Sequence, residues 1–268
     1  MGIRMIATDL DGTLFGPDHH PAPRSVAAIN AAVDAGLHVV AATGRSWFRG
    51  LDLATSTGAR LHHFIGSNGG HRVRVADRHL EERLVFDVET VEATIAGVSA
   101  ADENCGFGWE LADDMAWDER FIELSPITLA GGRRLPMVER PVDRFDEVGK
   151  MFVGHPSLGR VDLVEWVEPL VPDHVNVTTS GVDFVELTPP GADKGAAIAR
   201  LAAHLGISAH EVLVFGDNQN DLTMFEWAGR SVAMGNALDM VKAVADEVTD
   251  TNEDHGVARV IEELLGLS

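Results

Sequence analysis

A single cysteine, Cys105, excludes any disulfide within the chain and fits a reducing, cytoplasmic compartment. Basic residues are scarce: 21 Lys and Arg face 42 Asp and Glu, a formal charge of -21. A field of that sign repels nucleic acid and anionic membrane surfaces, so neither is expected as a partner. It equally repels phosphorylated metabolites, so a site for them needs local compensation by a metal, basic side chains or backbone N–H groups. No apolar run approaches the roughly 20 residues of a membrane helix. The opening MGIRMIATDLDGT lacks the charged, apolar and small-residue zones of a secretion signal. Internal repeats and low-complexity tracts are missing too.

What is present is a chain of 268 residues, 45% of them hydrophobic, long enough for one large domain or for a core with a sizeable insertion. Short apolar runs at residues 3–8, 37–42, 61–65, 212–215 and 231–234 end abruptly in polar or glycine-rich residues. Runs of this kind suit strands buried on both faces of a parallel sheet. Helical spacing marks residues 25–35, 194–205, 220–228, 239–244 and 257–265, with Gly36 and Gly206 as stops. Strands alternating with helices predict an α/β fold, a doubly wound and mainly parallel sheet whose ligands lie beyond the carboxyl ends of its strands. Residues 84–187 break that rhythm, with strands expected at 106–111, 116–120, 150–153, 174–178 and 183–187 and helices at 88–100 and 158–170. They read as an inserted α+β domain, leaving residues 1–83 and 188–268 as the core.

The chemistry collects at the predicted strand ends. Asp9 and Asp11, with Gly12 to turn the chain, can converge just beyond the first strand. One carboxylate can act as nucleophile or metal ligand and the other as acid and base; a plain turn rich in Asp and Gly is the alternative. Asp217, Asn220 and Asp221 follow a second strand. Asp9, Asp217 and a carbonyl form a hard oxygen set suited to Mg²⁺, and without a metal so many acids would raise one another's pKa. Thr43 offers a hydroxyl and Lys194, opening a helix, a point positive charge for phosphate. Together these groups suit phosphoryl transfer, where positioning and charge neutralisation dominate.

Five motifs, in order, are DLDGTLF (9–15), ATGR (42–45), SNGG (67–70), DKG (193–195) and GDNQND (216–221). With the tail after residue 232, they make the sequence similar to phosphatases of the haloacid dehalogenase superfamily, particularly the Cof-type sugar-phosphatase branch. The resemblance covers the two core segments; it reaches the insertion only by position and length. It implies a Rossmann-like core with a mobile cap that closes over the site, Mg²⁺ as cofactor and a small phosphorylated metabolite, first among them a sugar phosphate, as substrate. It implies that Asp9 attacks phosphorus and becomes an aspartyl-phosphate. Asp11 would protonate the leaving oxygen and then activate water, with its main-chain carbonyl on the metal. Asp217 would ligate the metal, Thr43 and Lys194 would hold phosphate oxygens, and Asn220 and Asp221 would stand close by. Gly12, Gly44 and Gly216 would let the backbone approach closely.

Other readings stand beside these. A phosphomutase on the same scaffold would return the phosphoryl group to sugar. A phospho-aspartate regulatory module, similar to bacterial receiver domains, would keep it. Multiple turnovers separate an enzyme from a stoichiometric phosphoprotein. Arg45 is expected either to reach substrate or to brace the Thr43 loop, and Ser67 and Asn68 either to face substrate or to form a turn. Trp109, Asp113, Asp114 and Trp117, around an expected hairpin with Glu110, are candidates for substrate specificity, with packing and a solvated turn as the alternative. His19-His20 and His62-His63 lack metal-ligand spacing and read as surface or packing residues. Glu81-Glu82 and Glu262-Glu263 read as solvated helix charges. No pattern in the sequence fixes the oligomeric state.

Overall fold

The computed structural model describes residues 2–56, 58–112, 114–124, 141–179 and 183–267. The chain forms two compact units, one running to Arg83 and resuming at Gly191, the other spanning Leu84–Pro190.

The first unit opens with β1 (Met5–Thr8), α1 (Pro23–Asp34), β2 (His38–Ala42), α2 (Trp47–Thr55) and β3 (His63–Gly66), then a hairpin of β4 (His71–Arg74) and β5 (His79–Arg83). The second unit supplies α3 (Val88–Ala101), β6 (Gly106–Glu110), β7 (Met115–Trp117), α4 (Glu119–Leu124), β8 (Lys150–Gly154), α5 (Arg160–Val167), β9 (Asn176–Thr178) and β10 (Val185–Thr188). The first unit resumes with α6 (Lys194–Leu205), β11 (Val212–Gly216), α7 (Leu222–Trp227) and β12 (Arg230–Ala233). It ends with α8 (Asp239–Lys242), β13 (Glu247–Val248) and α9 (Gly256–Leu265).

In the first unit the strand order is β13-β12-β11-β1-β2-β3-β4-β5. The six strands from β13 to β3 pair in parallel, and β4 and β5 add antiparallel. Every residue of β1, β3 and β11 is buried, as their uninterrupted apolar runs require. Helix α1 packs with α9, and α6 with α7. Central β1 has β2 on one side and β11 on the other, so the connections diverge there, the position at which sheets of this kind bind ligands. Thr8 lies opposite Phe215, which brings Asp9 and Gly216 out of the sheet side by side. The doubly wound α/β expectation holds for this unit.

Local chemistry explains where the elements begin. Pro23 opens α1, its fixed φ suiting a first helical turn. Asp193 caps α6 by accepting from the Ala196 amide at 2.8 Å, and Gly206 ends that helix at φ 64°. Lys194 is thereby fixed as the first residue of the helix.

The second unit is a five-stranded antiparallel sheet in the order β7-β6-β8-β10-β9. Phe107, Trp109, Met151, Val153, Val185 and Leu187 from its strands share a core with Val91 and Val98 of α3 and Leu163 of α5. This is α+β architecture.

Several expected elements differ. The strand expected at 116–120 stops at Trp117, because Asp118 accepts from the Phe121 amide and starts α4 instead. The strand expected at 174–178 shortens to β9. Helix α2 and the β4–β5 hairpin were not expected. Glu81 and Glu82 lie on β5, not on a helix, and both pair with Arg72 while only half exposed or less.

Candidate active site

The loops after β1, β2, β3 and β11 and the start of α6 meet at the carboxyl edge of the first unit. Lys194 is 0% exposed, and its Nζ donates to Asp9 Oδ1 and to Asp221 Oδ1, each at 2.6 Å. Burial acts to lower the pKa of this ammonium, yet the charges of Asp221 and Asp9 outweigh it and hold Lys194 well above the ordinary lysine range. The second oxygen of Asp221 accepts from the Asp217 and Asn218 amides at 2.9 and 3.0 Å. Asp221 is thus saturated, a brace between lysine and loop.

Asp9 and Asp217 are different. Thr13 Oγ1 donates to Asp217 Oδ1 at 2.8 Å. Among the described residues nothing hydrogen-bonds to Oδ2 of Asp9 or Oδ2 of Asp217. Oxygens of Asp9, Asp217 and Asp221 all lie within 4.8 Å of one another. Burial first, then the opposing pull of Lys194 and the neighbouring acids, leaves the Asp9 carboxyl well above its usual range. Burial and the charge of Asp221 push Asp217 up to about 7. Asp9 is buried and Asp217 half-buried, and each keeps one carboxylate oxygen without a hydrogen-bond partner among the described residues. A hard divalent ion fits this donor set, with Asp9 and Asp217 as its anionic ligands. Gly12, at φ 86°, makes the approach possible: a Cβ there would stand 2.5 Å from Asp217 Oδ2.

Asp11 points elsewhere. Arg45 grips both its carboxylate oxygens, and His19 Nδ1 lies 3.1 Å from Oδ1. Burial raises the pKa of Asp11, but the Arg45 hydrogen bonds and charge outweigh it and hold the carboxyl below the ordinary range. Arg45 therefore pairs with an acid of the site itself.

Thr43 is buried, its Oγ1 accepting from the Arg45 amide at 3.2 Å across Gly44. Asn220 Nδ2 donates to Asn68 Oδ1 at 3.0 Å. Ser67 and Asn68 are buried, with the Ser67 hydroxyl 2.9 Å from His71 Nδ1. Both lie on the turn that follows β3, where Asn68 reaches Asn220 and Ser67 reaches His71.

In the second unit Trp109 is 0% exposed and packs beside Phe107 and Phe145. Trp117 stacks on Phe121 with ring centroids 5.0 Å apart. Asp114 accepts from the Met115 amide within the hairpin turn. These three pack or shape a turn; Asp113 lies outside the described residues.

Sequence reasoning passed over Thr13 and Asn236, and read His19, which meets Asp11, as a surface or packing residue. Thr13 stands inside DLDGTLF and was legible by proximity. Asn236, whose Nδ2 donates to Gly12 O at 2.8 Å, is 224 residues away along the chain. Nothing local announces that contact.

Paired carboxylates and a buried ammonium at the switch point of a mainly parallel sheet fit an α/β enzyme of phosphoryl transfer. The sequence matches haloacid dehalogenase-like hydrolases over residues 6–261, and the chain belongs to that family. A 5-amino-6-(5-phospho-D-ribitylamino)uracil phosphatase of Bacillus subtilis is 27% identical, with 98% of each chain covered. An HMP-PP phosphatase of Yersinia enterocolitica is 26% identical over 98% of this chain and 95% of its own. A solved haloacid dehalogenase-like hydrolase from Bacillus subtilis superposes with a TM-score of 0.83 at 26% identity, covering 98% of this chain and 100% of that one. The chain is a phosphatase of this family. No helix among the described residues is long and apolar enough to cross a membrane.

Proposed function

We propose that the protein hydrolyses phosphomonoesters of small metabolites with Mg²⁺ bound at Asp9 and Asp217, using Asp9 as nucleophile. The observation that carries this reading is the state of Asp9: one oxygen held by Lys194, the other unclaimed beside Asp217. Bound there, Mg²⁺ supplies positive charge to the carboxylates and to a phosphate.

An Asp9 oxygen forms a bond to phosphorus as the ester P–O bond breaks, and the leaving alkoxide takes a proton from Asp11. Water then attacks the aspartyl-phosphate, Asp11 accepts its proton, and inorganic phosphate leaves with Asp9 restored. To donate in the first step Asp11 leaves Arg45, whose pairing keeps it ionised, and takes up a proton; in the second step its carboxylate accepts the proton of water. Thr43, Lys194 and Asn220 hold phosphate oxygens, Lys194 and Asp221 fixing the orientation of Asp9. A sugar phosphate is the favoured substrate. The two named relatives act on different compounds at similar identity, so neither name transfers to this chain.

The test is Asp9→Asn with p-nitrophenyl phosphate and Mg²⁺. Turnover is expected to fall by at least about 10³-fold, the scale of losing a nucleophile. The melting temperature should stay close to the parent's, since Asp221 still pairs with Lys194 and the amide oxygen can accept in place of the carboxylate. Undiminished turnover would remove Asp9 from the mechanism.

A further inference from the structure

Ser67, Asn68 and Gly69 run at φ 53°, 54° and 106°, three successive left-handed residues, of which Ser67 carries a side chain that disfavours the region while Asn68 and Gly69 tolerate it. Such a turn persists only where its surroundings over-determine it. Here each fixing contact leads to a loop of the site. The Ser67 amide donates to Arg45 O at 2.8 Å and the Asn68 amide to Thr43 O at 3.0 Å. Gly69 lies so close to the start of α6 that a Cβ would stand 2.3 Å from Asp193 O. The link to Asn220 runs through a side chain, the Asn68 carboxamide, which is 2% exposed.

From this we infer that Asn68 is a positioning residue for phosphate, acting through Asn220. A carboxamide presents an N–H end and a C=O end of nearly equal shape, and only the first suits an anion. The Asn68 carbonyl can only accept, so it selects the N–H end of Asn220 and fixes the amide plane. The second N–H of the same group is left for a phosphate oxygen. Identity at position 68 follows from two demands. The left-handed backbone favours Gly, Asn or Asp; Gly has no acceptor, and Asp sets a negative charge beside the anion. Asn satisfies both. This inference rests on the phosphatase reading and on Asn220 as a phosphate ligand.

A double-mutant cycle with Asn68→Gly and Asn220→Ala tests it, reading kcat/KM for p-nitrophenyl phosphate and inhibition by inorganic phosphate at saturating Mg²⁺. Glycine keeps the backbone conformation, and thermal melts verify the fold. Asn68→Gly should weaken kcat/KM and phosphate inhibition about 10- to 100-fold, the range for one hydrogen bond to a charged group. Combined with Asn220→Ala it should add almost nothing. Asn68→Asp keeps the acceptor and should retain kcat while raising KM, a split that a merely structural role would not produce. The inference is overturned if Asn68→Gly matches the parent, if its loss multiplies undiminished onto Asn220→Ala, or if Asn220→Ala leaves phosphate inhibition unchanged. Inactivation by Asp9→Asn alongside a failed cycle discards the role of Asn68 and keeps the phosphatase. A parent protein that releases no phosphate discards both.

Discussion

Asp217 shows what a single residue's surroundings demand. Its folded pKa of about 7, raised by burial and by Asp221, stands above the value of roughly 3.9 for a free aspartate. Between those values the metal-free fold binds a proton that the unfolded chain has released, so metal-free stability falls as pH rises through that window. A divalent ion reverses the preference by favouring the carboxylate. The rise in melting temperature produced by Mg²⁺ should therefore be larger at pH 8 than at pH 5.5, and Mg²⁺ affinity by calorimetry should tighten over the same range. Asp217→Asn should flatten both trends; equal Mg²⁺ effects at the two pH values would contradict the assignment. At this scale the sequence was informative where residue type and strand-end position coincide. Asp9, Lys194, Asp217 and Asp221 gather as their motifs imply. The direction of a side chain was not legible. Asp11 turns to Arg45 and His19, Asn68 to Asn220 and Ser67 to His71, because partners outside each motif decide those rotamers.

Elements were legible where burial on both faces leaves an unbroken apolar run, as in β1, β2, β3, β11 and β12. The β4–β5 hairpin escaped because its residues are charged. Arg72, Arg74, Glu81 and Glu82 neutralise one another across the pair, so a sheet edge reads as a polar surface. The amino-terminal edge of β2 and β3 holds a second group of this kind. His38 stacks on His62 with ring centroids 4.4 Å apart, and its Nε2 lies 2.9 Å from His63 Nδ1. His63 faces Glu81 and Arg72, and His62 faces Arg60. Burial, then His62 and His63, lower the pKa of His38 to about 4. A histidine whose folded pKa lies below its unfolded value of roughly 6.5 contributes stability above that value and loses it as pH falls toward the folded pKa. His38→Gln should thus narrow the stability gap between pH 6.5 and pH 4.5 relative to the parent, measured by urea unfolding at each pH. An identical pH slope in both proteins would show that the cluster does not titrate against folding.

For the whole molecule the governing quantity is the charge of -21. The site does little to offset it, since among the described residues the lysine and arginine that pair with Asp9, Asp11, Asp217 and Asp221 are Lys194 and Arg45. An incoming phosphate ester approaches against the field until it is within reach of the lysine and the metal position. Screening lengths shrink from about 30 Å at 0.01 M salt to about 8 Å at 0.15 M, which removes the distant repulsion and leaves short-range contacts almost untouched. At saturating Mg²⁺, kcat/KM for an anionic ester should therefore rise up to about ten-fold between those salt concentrations, with kcat nearly constant. An uncharged aryl ester outside the phosphate class offers no comparison here, so the control is charge reversal: Glu253→Lys with Asp254→Lys, on the exposed loop before α9, should raise kcat/KM at low salt and reduce the salt response. A fall in kcat/KM with added salt would mean that the substrate is drawn in by a local positive field strong enough to outweigh the excess of acids. Steering would then belong to Lys194, Arg45 and the bound cation, with the acidic surface serving solubility alone.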